Sequence, residues 1–347
     1  LQDVLRLPMH IGGVAVATSA SMGITFSSLG YTAPEEMLRD ADTAMYRAKA
    51  SGKARCALFD AALHTEVSNR LQLENDLRAA IAQETLDIVY QPLFHIGNGR
   101  LRGFEALTRW NHPTRGPIPP SIFIPIAEES GLIIELSDLV LVRACRQLRL
   151  WQEIDPSLRD LKLQVNMSAA DLAHSALFER VARALRSTHF TPHLLTLELT
   201  ESILMTGVES ALPALDALRR LGVSLAIDDF GTGYSSLSYL STLPIDSLKI
   251  DRSFVHGMRL GSKDAEIVRA IVSLGATLGK SVVAEGIETV SQLAQLRELG
   301  CEHGQGFHLS QPLTAADAQV LLEMIVAEGR ERHHSSFDTG MMPLMRH

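Results

Sequence analysis

In Leu225-Ala226-Ile227-Asp228-Asp229-Phe230-Gly231-Thr232-Gly233 a short apolar strand runs into two adjacent acids and then into a glycine-bearing loop. Adjacent residues of an extended chain point to opposite faces, so Asp228 and Asp229 can serve one site only where the strand breaks. Gly231 and Gly233 are expected to supply that break and a loop able to move. Read alone, the doublet also fits a polar turn with a helix-capping Asp. Its neighbours decide otherwise. Glu105 sits in Phe104-Glu105-Ala106-Leu107-Thr108-Arg109-Trp110, Asn166 ends Leu163-Gln164-Val165-Asn166, and Glu198 ends Leu195-Thr196-Leu197-Glu198. Lys249 ends Ser247-Leu248-Lys249, and Glu285 ends Val282-Val283-Ala284-Glu285. Each strand-like segment thus delivers a carboxylate, amide or ammonium to its end, and on a barrel that rim is where chemistry happens.

Between these segments the pattern is helical. Residues 86–93 and 101–108 read as two strands joined across Gly97-Asn98-Gly99, an antiparallel hairpin. Strands are then expected at 161–166, 194–199, 223–228, 245–250, 281–285 and 303–308. Helices are expected at 135–154, 176–187, 210–221, 235–241, 264–278, 290–299 and 314–327. Eight strands with intervening helices over ~260 residues fit an α/β, TIM-like (β/α)8 barrel with an antiparallel first strand. The barrel is expected at 85–328, after a connector helix at 61–84. Residues 1–60 read as a partial α/β fragment: a strand pair across 14–24 and a helix from Pro34 to Ala50, followed by Gly52. Residues 329–347 are polar and non-periodic, which predicts a mobile tail.

The strand-end ligands are all hard oxygens, with no His or Cys among them, a composition that favours Mg2+ or Mn2+ over zinc. Clustered carboxylates cannot all stay ionised without cations or shared protons. The Asp doublet could bridge two ions about 3.5–4 Å apart, the spacing of two-metal phosphoester hydrolysis. Lys249 could hold a water or neutralise phosphate; its structural alternative is a salt bridge to Asp251 or Glu198. Arg109 is the natural phosphate clamp, and Gln91 and Gln305 could read polar edges of a ligand. His112, His303 and His308 have no ligand partner in the pattern.

Bulk composition narrows the field. The chain has 347 residues, 46% hydrophobic and 21% charged, as an ordinary globular protein does. Its three isolated cysteines argue for a reducing, cytoplasmic setting and against structural zinc. The net charge of −8 speaks against a nucleic-acid polymer as partner. The longest apolar run, Ile267 to Gly279, is short and broken by Arg269, so no membrane contact is expected within this chain.

Residues 70–328 resemble the EAL-type cyclic di-GMP phosphodiesterase domain of bacteria. The likeness runs through Tyr90-Gln91-Pro92, Glu105-Ala106-Leu107 with Arg109-Trp110, Phe123-Ile124-Pro125, Asn166-Met167-Ser168 and Glu198-Leu199-Thr200-Glu201-Ser202. It continues through Asp228 to Tyr234, Leu248-Lys249-Ile250-Asp251, Glu285-Gly286-Ile287-Glu288 and Gln305-Gly306-Phe307. The resemblance implies hydrolysis of cyclic di-GMP to linear pGpG with Mg2+ or Mn2+, inhibition by Ca2+, and a homodimer. It implies a metal site of Glu105, Asn166, Glu198, Asp228, Asp229 and Glu285. Lys249 would position the water, with Glu285, Glu105 and Asp228 in the catalytic group. Gln91, Leu107, Arg109 and Gln305 would contact substrate, and Glu201 would anchor the loop after Asp229.

Residues 14–60 resemble the end of a GGDEF-type diguanylate cyclase domain, through Ser21-Met22-Gly23-Ile24 and Ala41-Asp42-Thr43-Ala44-Met45-Tyr46-Arg47-Ala48-Lys49. The Gly-Gly-Asp-Glu-Phe signature is absent, so this chain is not expected to make cyclic di-GMP, and a membrane anchor could lie in a preceding part of a longer protein. Two competing readings remain open: a receptor that binds cyclic di-GMP without cutting it, and an enolase-like, proton-abstracting metal barrel.

Overall fold

The computed structural model describes residues 9–338 except 13, 17, 51, 207, 234–239 and 241. The chain divides into two units, Leu1–Ala79 and Ala80–His347.

In the first unit the helix Pro34–Ala50 carries Glu35 and Glu36 in its first turn and Arg47 and Lys49 in its last, each charge opposing the helix dipole. The Glu36 carboxylate accepts the Thr32 and Ala33 N–H groups at 2.9 and 3.3 Å, closing the helix start. The expected pairing across residues 14–24 is corrected. Val14–Val16 pairs antiparallel with Met9–Ile11, whereas Met22–Ile24 pairs parallel with Cys56–Leu58, beyond the helix. The Ser-Met-Gly-Ile stretch needs its glycine there: a Cβ on Gly23 would lie 1.8 Å from the Ala41 carbonyl oxygen.

The second unit is a closed barrel. Its strands are β1 (Asp87–His95), β2 (Leu101–His112), β3 (Lys162–Met167), β4 (Leu195–Thr200), β5 (Ser224–Phe230), β6 (Ser247–Ile250), β7 (Ser281–Ala284) and β8 (His303–Gly304). From β2 to β8 neighbours are parallel; β1 is antiparallel to both β2 and β8 and closes the ring. The period-2 alternation separates two populations. Leu163, Leu195, Leu225 and Leu248 are fully buried on the outward side. Each contributes about 1.5–3 kcal/mol by leaving water. The inward side carries Glu105, Asn166, Glu198, Asp228 and Lys249, one on each of five successive strands.

Most expected elements lie within two residues of their observed limits, with five differences, one being that the strand expected at 101–108 runs on to His112. The helix expected at 135–154 starts at Ile133 and follows a separate helix, Pro120–Ser130, whose internal Pro125 obscures its period. The strand expected to 308 ends at Gly304. The closing helix runs Ala315–Asp338, so the polar segment from Gly329 continues it for ten residues rather than leaving it as a tail. The helix expected at 235–241 lies almost entirely outside the described residues. Among the described residues no helix is long and apolar enough to cross a membrane.

Candidate active site

The rim predicted from the strand ends is assembled around Lys249. Its ammonium lies 2.7 Å from Glu285, 2.8 Å from Glu198, 3.2 Å from Glu105 and 3.3 Å from Asp228, with the Lys249 side chain 1% exposed. Glu198 is therefore one of its partners. Asp251 is not; it caps the helix Arg252–His256 through the Ser253 N–H. Asn166 donates to Glu105 at 2.8 Å, and Gln305 donates to Glu105 at 2.6 Å and to Glu285 at 3.1 Å.

Asp228 and Asp229 do share the site, and the break that allows it begins two residues before Gly231, which is itself left-handed with a φ of 100°. Asp229 itself adopts a left-handed φ of 53°, and the β5–β6 register slips between Ile227 and Phe230. Asp228, Asp229 and Glu285 then bring one carboxylate oxygen each within 4.8 Å of one another, an arrangement that could hold a metal ion. The loop that follows is tied to Glu201, whose buried carboxylate accepts the Gly231 N–H at 2.8 Å and the Gly233 N–H at 3.3 Å. Tyr234 to Ser236, the rest of that loop, lie outside the described residues.

The electrostatics follow from five carboxylates facing one ammonium in a largely buried site. Burial, then the charge of Glu105, pushes Glu198 well above the carboxylate range. Burial first, with Asp228 and Glu105 adding, pushes Glu285 to about 8 despite Lys249. Asp229 rises to about 6 through burial, then Asp228 and Asp251. For Glu105 burial is again the largest effect, but Lys249 and the Gln305 and Asn166 hydrogen bonds outweigh it and hold the group low. Burial opposes the Lys249 charge, yet Glu105, Glu198, Glu285 and Asp228 together raise its pKa well above the usual value. The cluster is short of positive charge. The Glu198 Oε1 atom is buried with no hydrogen-bond partner among the described residues. An all-oxygen donor set with an orphaned carboxylate oxygen fits a hard divalent cation.

The expected substrate-contact residues are present but engaged within the protein. Gln91 donates to the Ser310 carbonyl, and Arg109 Nη1 to the Thr108 carbonyl at 2.9 Å. Gln305 keeps a buried Oε1 without a partner. Leu107, Arg109 and Asn166 also line a cavity of about 410 Å3 that runs under the helices Pro120–Ser130 and Ile133–Gln152. The sequence reading missed this cavity. Glu128 and Ser137 are among its polar liners. Ser137 donates to Asp171 at 2.7 Å, and Asp171 is held in turn by Arg180 at 2.8 Å. The helical spacing of Ile124 and Glu128 was a visible signal, but which helix covers the rim is a tertiary fact.

Comparison with known proteins gives a family match to the EAL domain over residues 74–312 and to the diguanylate cyclase GGDEF domain over residues 1–55. The bifunctional diguanylate cyclase/cyclic di-GMP phosphodiesterase MucR of Pseudomonas aeruginosa is 43% identical over 308 residues, 89% of this chain and 45% of MucR. The cyclic di-GMP phosphodiesterase PdeR of Escherichia coli is 39% identical, over 90% of this chain and 46% of PdeR. The chain thus spans less than half the length of these relatives. Among solved structures, the P. aeruginosa MucR phosphodiesterase in complex with c-di-GMP matches with a TM-score of 0.68 and 46% identity, covering 71% of this chain and 99% of that one.

Proposed function

The chain belongs to the EAL-domain family, and on that premise we propose that it hydrolyses cyclic di-GMP to linear pGpG with Mg2+ or Mn2+, lowering a bacterial second messenger. One observation carries the reading: a buried Lys249 inside a ring of Glu105, Glu198, Asp228 and Glu285 that is short of positive charge. The names of MucR and PdeR, both cyclic di-GMP phosphodiesterases, support it.

Glu105, Asn166, Glu198, Asp228, Asp229 and Glu285 would hold the metal, as a pair of ions. A bound pair supplies charge that stabilises the attacked phosphate and the departing oxygen. The protein's own groups do the rest. Lys249 orients an attacking water from the floor of the ring. Glu285 takes its proton. Arg109 swings from the Thr108 carbonyl onto the phosphate, where a guanidinium fork matches two oxygens. Gln91, Leu107 and Gln305 hold the nucleotide, and Glu201 fixes the loop behind Asp229. The active form is a homodimer.

Incubation of the purified chain with cyclic di-GMP and either metal, followed by chromatography, tests this reading. Appearance of the linear dinucleotide supports it; persistence of intact cyclic di-GMP with both metals contradicts it.

A further inference from the structure

The mouth of the barrel opposite the acidic rim carries a second cluster of the opposite sign. Side chains alternate across the barrel wall. Gln305 and Asn166 reach inward to Glu105, so His303, two residues before Gln305, and Lys162, four before Asn166, lie on the same inner side at the far end. His303 is the register partner of His95 on β1, and their rings meet edge-on with centroids 5.6 Å apart. Arg102 is the extra residue where the β1–β2 ladder slips between Leu93–Gly103 and Phe94–Leu101. Lys162 pairs with Gly103 at the start of β3. Four successive strands of the ring, β8, β1, β2 and β3, thus bring His303, His95, Arg102 and Lys162 to one mouth.

Among the described residues the two cations of this cluster, Arg102 and Lys162, make no side-chain hydrogen bond or ion pair of their own, although Glu302 lies 3.7 Å from the His303 Nδ1. Lys162 is partly buried, and burial, then Arg102, lowers its pKa against the charge of Asp246. The His303 side chain is only 15% exposed. It is held neutral, at about 4, by burial and then by Arg102, His95 and Lys162. The nearby acids neutralise the cluster only in part. Asp246 acts on Lys162 but is shared with the Leu225 N–H at 2.9 Å and with Arg219 at 3.8 Å, and Glu302, 3.7 Å from the His303 Nδ1, is more than half exposed. Unpaired cations gathered at one mouth of a chain with a net charge of −8 run against its overall field.

We propose that this mouth is a binding site for a phosphate-type dianion, held by the Arg102 fork, the Lys162 point charge and a His303 N–H. The planar guanidinium matches two oxygens of a tetrahedral anion, and an ammonium completes the charge balance. Partial burial of Lys162 and His303 protects their contacts from salt screening. The shared group occurs as inorganic phosphate and as the 5′-phosphate of a nucleotide. The site lies away from the acidic rim and stands whether or not that rim is hydrolytic.

The test is a titration of the metal-free full chain, followed through the imidazole resonances of His303 and His95 by NMR. Inorganic phosphate and guanosine 5′-monophosphate are added separately at an ionic strength of about 0.15 M. Both resonances should shift saturably, and the tighter ligand identifies the source of the group. Arg102→Gln and Lys162→Gln should each weaken binding by about tenfold or more, the loss of one charge-assisted contact. Arg102 is exposed, so its variant tests the site without burdening the fold. A non-saturable response to both ligands, or unchanged affinity in both variants, overturns the proposal.

Discussion

The Lys249 ammonium donates to the Glu198 carboxylate at 2.8 Å with both side chains sealed from solvent, and Glu198 keeps its other oxygen buried and unpartnered. Removing one member of such a buried pair leaves an uncompensated charge, at a typical cost of about 3–5 kcal/mol. Lys249→Met should therefore lower the melting temperature measured in chelator, and added Mg2+ or Mn2+ should recover part of the loss. An unchanged melting temperature in chelator would show that Lys249 is not the electrostatic centre of the ring.

Turnover separates the rim from its surroundings. Glu105→Ala and Lys249→Ala should each cost at least about 100-fold in kcat, the scale on which preorganised charged groups act. His112 accepts the Thr114 N–H in the β2 turn at 3.2 Å, and His112→Ala should leave the rate nearly unaltered. Comparable losses in all three variants would sink the role assignments.

The Glu201 contacts give a prediction about the loop. A charge-assisted hydrogen bond contributes roughly 1.5–3 kcal/mol, and Glu201 accepts two from the backbone of Gly231 and Gly233. Glu201→Gln should lower kcat about tenfold or more while the melting temperature falls only a few degrees. Gly233→Ala should act alike, because its Cβ would come 2.7 Å from Glu201 Oε1. Full activity in both variants would remove the loop from the account.

His303 sets an acid-side stability limit. Its folded pKa of about 4 lies below the ordinary 6.5, because burial and then Arg102, His95 and Lys162 disfavour the imidazolium. The stabilisation from its neutral ring is thus complete above pH 6.5 and is lost as pH falls from there toward 4. In phosphate-free buffer His303→Asn should flatten the decline in melting temperature across that window. A wild-type slope in the variant would contradict the assignment.

What the sequence made legible was chiefly local. The strand-end acids, Lys249 and the hairpin at Gly97-Asn98-Gly99 followed from period and residue type, and the barrel returned them in one ring. Non-local facts stayed hidden. The Met22–Ile24 strand finds its partner across an intervening helix, which no short-range pattern encodes. Gly231 is left-handed as its residue type suggests, but the turn already begins at Asp229, where an L-residue is the costlier choice. The cavity beneath Pro120–Ser130 depends on how two helices cover the rim, and Pro125 masked the first of them.

The most direct test of the central claim is a turnover assay with cyclic di-GMP in which the divalent metal is first chelated and then restored. The account predicts no linear dinucleotide in chelator, release of pGpG on addition of Mg2+ or Mn2+, and no release from Glu105→Ala under the same conditions. Saturable binding of cyclic di-GMP with no product under either metal would instead make the chain a receptor, and turnover undiminished by the chelator would contradict the metal-dependent ring.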